Sequence, residues 1–487
     1  MAELLLGVDA GQTVTKAVLF DLAGRQVGIG TAQVATRSPR SRWVERDMDE
    51  VWAALGAAVQ ACLVGFSAAD VLAVGIAGHG DGLYPVDASL RAFRPAITAM
   101  DTRAHALLAE WRADGTWDRA LTLTGTVPFA GSPAPLLAWL QREEPAVLER
   151  ARWLLFCKDW LRLRLTGSVA TDVTDASASF TDVRAQAYSF EALKMFGLTG
   201  LEDRLPTLAA SSDVAGVVTD EAAAATGLRA GTPVVVGAHD VDAAAVGLGA
   251  AAPGQLSVIA GTFSINQVVS SSVSVDARWQ ARSFVRPGQW LNMGTSPASA
   301  TNVEWFLSLL GLTGPSAYAT AAAEVASALG GRSEVVYLPF LYGSPHGDAA
   351  SGTFLGARGW HGRAQLLRGL FEGVVFNHRY HVEALREGFD VGPAVRLGGG
   401  VARSDVWSQL FADALRAPVE VTDTDEAGAR GAALLAGVGV GALDDWNLAR
   451  VSRRYDPSPE RGEVLDEAYA TYRAAIEALG PVWDRLG

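Results

Sequence analysis

At 487 residues the chain exceeds the roughly 250 to 300 residues at which one hydrophobic core stops growing, so two large domains are expected. Hydrophobic residues make up 49% and charged residues 19%, which excludes a disordered chain, and a net charge of -13 with no cluster of Lys and Arg argues against a nucleic-acid partner. Two cysteines, Cys62 and Cys157, cannot build a disulfide framework and fit a cytoplasmic setting; the first residues carry no basic leader, and no apolar run nears the roughly 18 residues a membrane span needs.

Leu4 to Val8 and Thr15 to Phe20 read as strands around a glycine turn, and Leu22-Ala23-Gly24-Arg25 turns the chain into a third strand. The first turn, Asp9-Ala10-Gly11-Gln12-Thr13 with Lys16, gathers an acid, a flexible backbone, a hydroxyl and a cation. That suits a nucleoside triphosphate: backbone N–H groups approach phosphate oxygens, Thr13 and Lys16 add donors, and Asp9 holds Mg²⁺ through its waters. A plain hairpin with a surface Asp explains the same residues equally well.

Asp49 to Leu63 has helical spacing, Val71 to Ala77 is a buried strand, and the alternation continues, which gives an α/β class. Polar clusters follow two strand ends, Gly78-His79-Gly80-Asp81-Gly82 and Met100-Asp101-Thr102-Arg103. Together His79, Asp81, Asp101 and Arg103 offer the acceptors and donors that a hydroxyl-rich substrate needs, although each alone is also an ordinary turn or ion pair. His239-Asp240-Val241-Asp242 follows the apolar run Pro233 to Val236, and a carboxylate there can act as a general base. Asp240 and Asp242 are rivals for that role, and a helix cap accounts for either one.

Gly247 to Gly254 is small and turn-forming, placing a domain boundary near residue 250, with domains over 1–250 and 251–487. Its loose dinucleotide fingerprint, the only support for a dehydrogenase, is broken by Pro253 and Gly254. Leu256 to Thr262 leads into Phe263 to Val269 through a second glycine-threonine turn, Gly261-Thr262, matching the first. Tyr318 to Leu329 reads as an Ala-rich helix. His378 and His381 have a metal-like spacing without companions and read as a helix face. Gly398 to Ser404, between the strand Ala394 to Leu397 and the helix Asp405 to Leu415, offers backbone to a flat ring, as does Asp425 to Ala432; tight helix packing explains both. No Gly-x-x-x-x-Gly-Lys-Ser/Thr loop is present.

In this order the motifs resemble the FGGY carbohydrate kinases of the actin-like ATPase superfamily: Asp9 to Thr13, Gly78 to Gly82, Asp101-Thr102-Arg103, Gly237 to Asp240, Gly261-Thr262, Gly352 to Gly356 and Gly398-Gly399-Gly400. The resemblance implies two ribonuclease H-like domains closing a cleft on ATP and sugar, with Asp240 as catalytic base and Asp9 on the magnesium side. It assigns Gly11, Gln12, Thr13 and Lys16 to the first phosphate turn and Gly261 and Thr262 to the second. Gly399, Gly400 and Ser404 fall to adenosine, while His79, Asp81, Asp101, Arg103 and Asp240 fall to the substrate. Within the family the turns look most like the L-xylulose and 3-keto-L-gulonate kinase branch, with D-xylulose and erythritol kinases as near rivals. Gln12 stands where many members have Thr, and His79-Gly80-Asp81 replaces the Gln-Met-His of D-xylulose kinases. The expected reaction is ATP- and Mg²⁺-dependent phosphorylation of a primary hydroxyl on a ketopentose or related keto acid, or else on a polyol. Dimerisation is a family expectation, and a non-catalytic nucleotide-binding protein of the same superfamily is the alternative.

Overall fold

The first apolar run alternates its side chains between two buried faces, and that fixes the architecture around it. In the strand β1 (Leu4–Ala10), Leu4, Leu6 and Val8 point into one core with Leu55, Val59 and Trp160, while Leu5 points into another with Phe20, Ala73 and Val235. β1 pairs antiparallel with β2 (Val14–Asp21), which pairs antiparallel with β3 (Gln26–Gln33). The helix α1 (Met48–Cys62), capped by the Asp47 carboxylate, then covers this edge. β4 (Val71–Gly78) lies parallel to β1.

The computed structural model describes residues 3–314, 316–347 and 349–486. By contacts it divides into two compact units: one runs to Ala251 and also takes Ser270–Leu291 and Glu426–Ala449, and the other holds Ala252–Val269, Asn292–Asp425 and the chain from Arg450. The opening stretch of the first unit ends at Ala251, and two later segments return to that unit, so neither unit is a continuous run of chain.

The first unit continues through the helix α2 (Cys157–Thr166), the short helix α3 (Val173–Ala176), the strands β5 (Val214–Val217), β6 (Pro233–Val235) and β7 (Ala238–His239), and the helix α4 (Asp240–Gly247). Its sheet runs β3-β2-β1-β4-β6-β5, with β7 also on β4. The helix Ala427–Gly439 lies on the second face of this sheet. Its small residues allow backbone contact: a Cβ on Gly7 would stand 1.8 Å from the Ala429 oxygen, and one on Gly75 1.9 Å from that of Ala432. Gly431 meets α4 in the same way, 1.8 Å from the Ala243 oxygen. Within Asp425 to Ala432, read as part of an adenosine-slot candidate, the stretch Ala429 to Ala432 is thus packed against the first unit's sheet and α4. Gly431→Ala is expected to destabilise the protein by about 3 kcal/mol through overpacking, read by urea unfolding, whereas Gly330→Ala, with open space around it, leaves the transition unmoved.

The second unit repeats the plan. The strands β8 (Leu256–Ala260), β9 (Ser264–Ser270), β10 (Trp290–Ser296), β11 (Val395–Gly398), β12 (Val419–Thr422) and β13 (Val451–Tyr455) run β10-β9-β8-β11-β12-β13. A hairpin comes first, and its first strand then takes a parallel partner, as β1 takes β4. The helix α5 (Arg363–Gly388) buries Leu367, Leu370, Phe371 and Val374 at helical spacing, and the helix α6 (Asp405–Leu415) stacks Trp407 on Phe371 with centroids 4.0 Å apart. The Ala-rich helix is found at Ala317–Ala328. Among the described residues no helix is long and apolar enough to cross a membrane.

Candidate active site

Three strand ends of the first unit stand side by side. Ala10 on β1 is level with Gly78 on β4, which is level with His239 on β7, so Asp9, His79 and Asp240 share the C-terminal edge of parallel strands, the customary place for ligands in such sheets.

Asp9 faces Lys16 across the hairpin. Gly428 leaves room for its carboxylate, since a Cβ there would lie 2.5 Å from Asp9 Oδ2. The Lys16 ammonium is engaged 2.6 Å from Glu426 Oε2, a partner that sequence reasoning did not find. Burial pushes the Asp9 carboxyl up to about 6; Lys16 opposes this and Glu426 adds to it. The turn is closed by Gly11 N–H donating to the Val14 carbonyl at 3.2 Å and braced by Arg46, whose Nη1 donates to the Gly11 oxygen at 3.2 Å. Gln12 is half-buried and Thr13 exposed. Among the described residues no group of three or more His, Cys, Asp or Glu side chains could cage a metal. A half-buried carboxylate that ionises at a cost suits Mg²⁺ held by one side chain, its waters and phosphate.

The substrate candidates separate into two sets. His79 is buried, its Nε2 lies 2.9 Å from the Tyr84 hydroxyl, and burial, aided by Arg46, lowers it to about 3, so the ring is neutral. Asp81 adopts φ 60°, a conformation that costs energy outside glycine and gathers at functional sites. Both its oxygens accept from Arg282 Nη2, at 3.1 and 3.0 Å. Burial still raises the Asp81 carboxyl, with Arg282 offsetting only part. Arg282 is itself buried, and its Nε and Nη1 have no hydrogen-bond partner. Asp101 and Arg103 instead satisfy each other: Oδ1 accepts from Arg103 N and Nε at 2.9 Å, and Oδ2 accepts from Arg103 Nη2 at 2.8 Å and Val44 N at 2.6 Å. Arg103 also reaches Glu45 at 2.8 Å and lies 3.8 Å over the Trp43 ring, with only Nη1 unpartnered.

Exposure separates the two rival bases. Asp242 is fully enclosed, whereas the Asp240 side chain keeps 31% exposure at the first position of α4. The carboxyls of both are raised well above the ordinary range. For Asp240 the causes are burial and then the charges of Asp9 and Asp175; for Asp242 they are burial and then Asp172. His239 Nε2 sits 3.2 Å from Asp240 Oδ1, and burial followed by Arg282 keeps this imidazole neutral. Gly80 is what admits the ring: a Cβ there would lie 2.3 Å from His239 Nε2.

In the second unit, Gly261 and Gly399 follow the ends of the paired strands β8 and β11. Gly261 and Gly400 have open space where a side chain would stand, leaving their backbone approachable. Gly399 has φ 84°, and a Cβ would meet the Ala260 oxygen at 2.5 Å. Thr262 is exposed, and its carbonyl accepts from Thr301 at 3.3 Å. The Ser404 hydroxyl is committed to capping α6 at Trp407 N. His378 is structural: Nδ1 lies 2.8 Å from Asn266 Oδ1 and Nε2 3.1 Å from Ser299 Oγ, and burial lowers it, like His381, to about 3. A surface cavity of about 530 Å³ in this unit, lined by Arg332, Tyr337, Trp360, Glu372 and Thr471, includes none of these residues.

Among solved structures, the chain is similar to a xylulose kinase from Rhodospirillum rubrum, with a TM-score of 0.89 and 28% identity over 99% of this chain and 100% of that one. It is 31% identical to the L-xylulose/3-keto-L-gulonate kinase of Escherichia coli (strain K12) over 98% of each chain, and 33% identical to the xylulose kinase of that strain over 98% of this chain and 100% of the other. These likenesses define the class, a sugar kinase with ATP as phosphate donor. The chain belongs to the FGGY family of carbohydrate kinases, whose N-terminal domain matches residues 4–247 and whose C-terminal domain matches residues 256–440.

Proposed function

We propose that the enzyme phosphorylates a primary hydroxyl of a ketopentose such as L- or D-xylulose, or of a related keto sugar acid, with Asp240 as the general base. The observation that carries this reading is the partly exposed Asp240 carboxyl at a strand end, raised by burial and by its acidic neighbours, while Asp242 is sealed. Asp240 accepts the hydroxyl proton as the oxygen attacks the γ-phosphorus and the bond to the β-γ bridging oxygen breaks. Gly11, Gln12, Thr13 and Lys16 form one phosphate-binding turn and Gly261 with Thr262 the other, while Gly399, Gly400 and Ser404 border the adenosine. Asp9 holds Mg²⁺, which when bound neutralises charge on the phosphate oxygens. His79, Asp81, Asp101 and Arg103 shape the sugar pocket, Asp81 through its ion pair with Arg282. The choice of sugar rests on the relatives that act on L-xylulose, 3-keto-L-gulonate and xylulose.

The test is coupled ADP release over a panel of ketopentoses, four- and five-carbon polyols and keto sugar acids. Ketopentoses or keto acids are expected to give the highest kcat/KM. A polyol preferred over all of them would overturn the substrate class, and ADP release unmoved by every compound would overturn the kinase reading.

A further inference from the structure

Behind Asp240 lies a buried polar chain that the reaction does not touch directly. The Lys158 ammonium on α2 is fully enclosed among Asp159 at 2.8 Å, Asp172 at 3.0 Å and Asp175 at 3.0 Å. Burial alone would lower its pKa, but the three carboxylates outweigh this and raise it. Asp172 Oδ2 in turn accepts from the Ser211 hydroxyl at 2.7 Å and from the Thr174 hydroxyl, also at 2.7 Å. That Thr174 oxygen accepts the backbone N–H of His239 at 2.9 Å. His239 is the N-cap of α4, with Asp240 next to it.

One hydroxyl on α3 therefore bears on the residue where β7 becomes α4. Its donor direction is consumed by Asp172, so its lone pair faces His239 N–H. The preceding backbone is held by Gly237 at φ 85° and by Arg162, whose Nη1 donates to the Val236 carbonyl at 3.0 Å and pairs with Asp159 at 3.1 Å. Arg162 joins the cluster to the backbone before β7, whereas Thr174 joins it to His239 itself, the residue that adjoins the base. We infer that Thr174 is a positioning residue for Asp240: its hydroxyl, oriented by Asp172 and Lys158, fixes the start of α4 so that the carboxylate meets the substrate hydroxyl in line. This inference rests on the reading of Asp240 as the base.

Thr174→Val keeps shape and volume and removes both bonds. It is expected to lower kcat about 100-fold, the scale of a misplacement near 1 Å, with KM for ATP and sugar little changed, because neither ligand loses a contact. Thr174→Ser restores the hydroxyl and is expected to recover most of kcat. Thr226→Val is the matched control: that buried hydroxyl also makes two bonds, donating to the Ala222 carbonyl at 2.7 Å and accepting from Leu228 N at 3.3 Å, so it reports the stability loss without the link to α4. Should Thr174→Val not fold, Ser211→Ala, which loosens Asp172, is expected to show a smaller fall in the same parameter. Wild-type kcat in Thr174→Val, a fall no larger than that of Thr226→Val, no recovery with Ser, or a change in KM instead of kcat overturns the inference. Asp240→Asn separates the two readings: if it keeps turnover, the base assignment falls and this inference with it, whereas a dead Asp240→Asn beside a fully active Thr174→Val removes the Thr174 link alone.

Discussion

Asp240→Asn is expected to lower sugar-stimulated ADP release about a thousandfold, within the range a positioned base contributes, while nucleotide affinity stays at its wild-type value. The amide has the shape of the carboxyl but cannot take a proton. Folding should not suffer, because burial and the charges of Asp9 and Asp175 already disfavour an ionised Asp240, and a neutral side chain relieves that cost. Asp242→Asn is the informative partner: ionisation of its carboxyl is also disfavoured, but the group is sealed, so the variant is expected to keep turnover. Loss of activity in Asp242→Asn with survival in Asp240→Asn would transfer the role.

The same electrostatics fix a direction for the pH profile. With Asp240 as the proposed base, which must be ionised to act, kcat/KM is expected to rise along an acid limb set by Asp240. Asp175, held near 7 by burial and by Asp172 and Asp159 against the pull of Lys158, is one of the charges that raise Asp240. Asp175→Asn removes that charge, eases ionisation of Asp240, and is expected to move the acid limb to lower pH. A limb that stays in place or moves upward would show that Asp240 does not titrate in it.

Much of this frame could be read from residue order. Apolar runs bounded by glycine turns located β1, β2, α1 and β4 to within a residue or two, because each is a local pattern with a fixed period. Likewise the paired glycine-threonine turns at Gly11 and Gly261 open two sheets that begin alike, with a hairpin whose first strand then takes a parallel partner. What the sequence concealed were pairings over long separations. Arg282 meets Asp81 across 201 residues and Glu426 meets Lys16 across 410, and no periodicity records such partners. The return of Ser270–Leu291 and Glu426–Ala449 to the first unit has the same origin: Gly428, Ala429, Gly431, Ala432 and Ala433 permit backbone contact but do not say with what. A local signal did exist for Lys158 and Asp159, two charges set among Phe156, Cys157 and Trp160, since charges in an apolar run are buried only when paired. Thr174 carried none, as one buried hydroxyl among the chain's threonines looks like any other.

Asp9→Asn should separate stability from function. The Asp9 carboxyl is raised to about 6 in the folded protein against an ordinary 3.8, so the fold favours its protonated form. The corresponding stability is fully present below about 3.8 and is lost as pH rises through about 6, which leaves the wild type paying a penalty at neutral pH. Asn removes the ionisation, so the variant is expected to melt a few degrees above wild type at pH 7.5 and to show no such gain at pH 4. Turnover should nevertheless be lost, since a neutral amide cannot replace the carboxylate on Mg²⁺. In wild type the extra thermal stabilisation given by Mg²⁺ with ADP, over ADP alone, should grow as pH rises through about 6, because the proposed metal role of Asp9 requires its ionised form. The variant should show no such pH-dependent increment. Equal melting of the two proteins at both pH values would refute the strained carboxylate, and a retained magnesium increment in Asp9→Asn would place the metal on other groups.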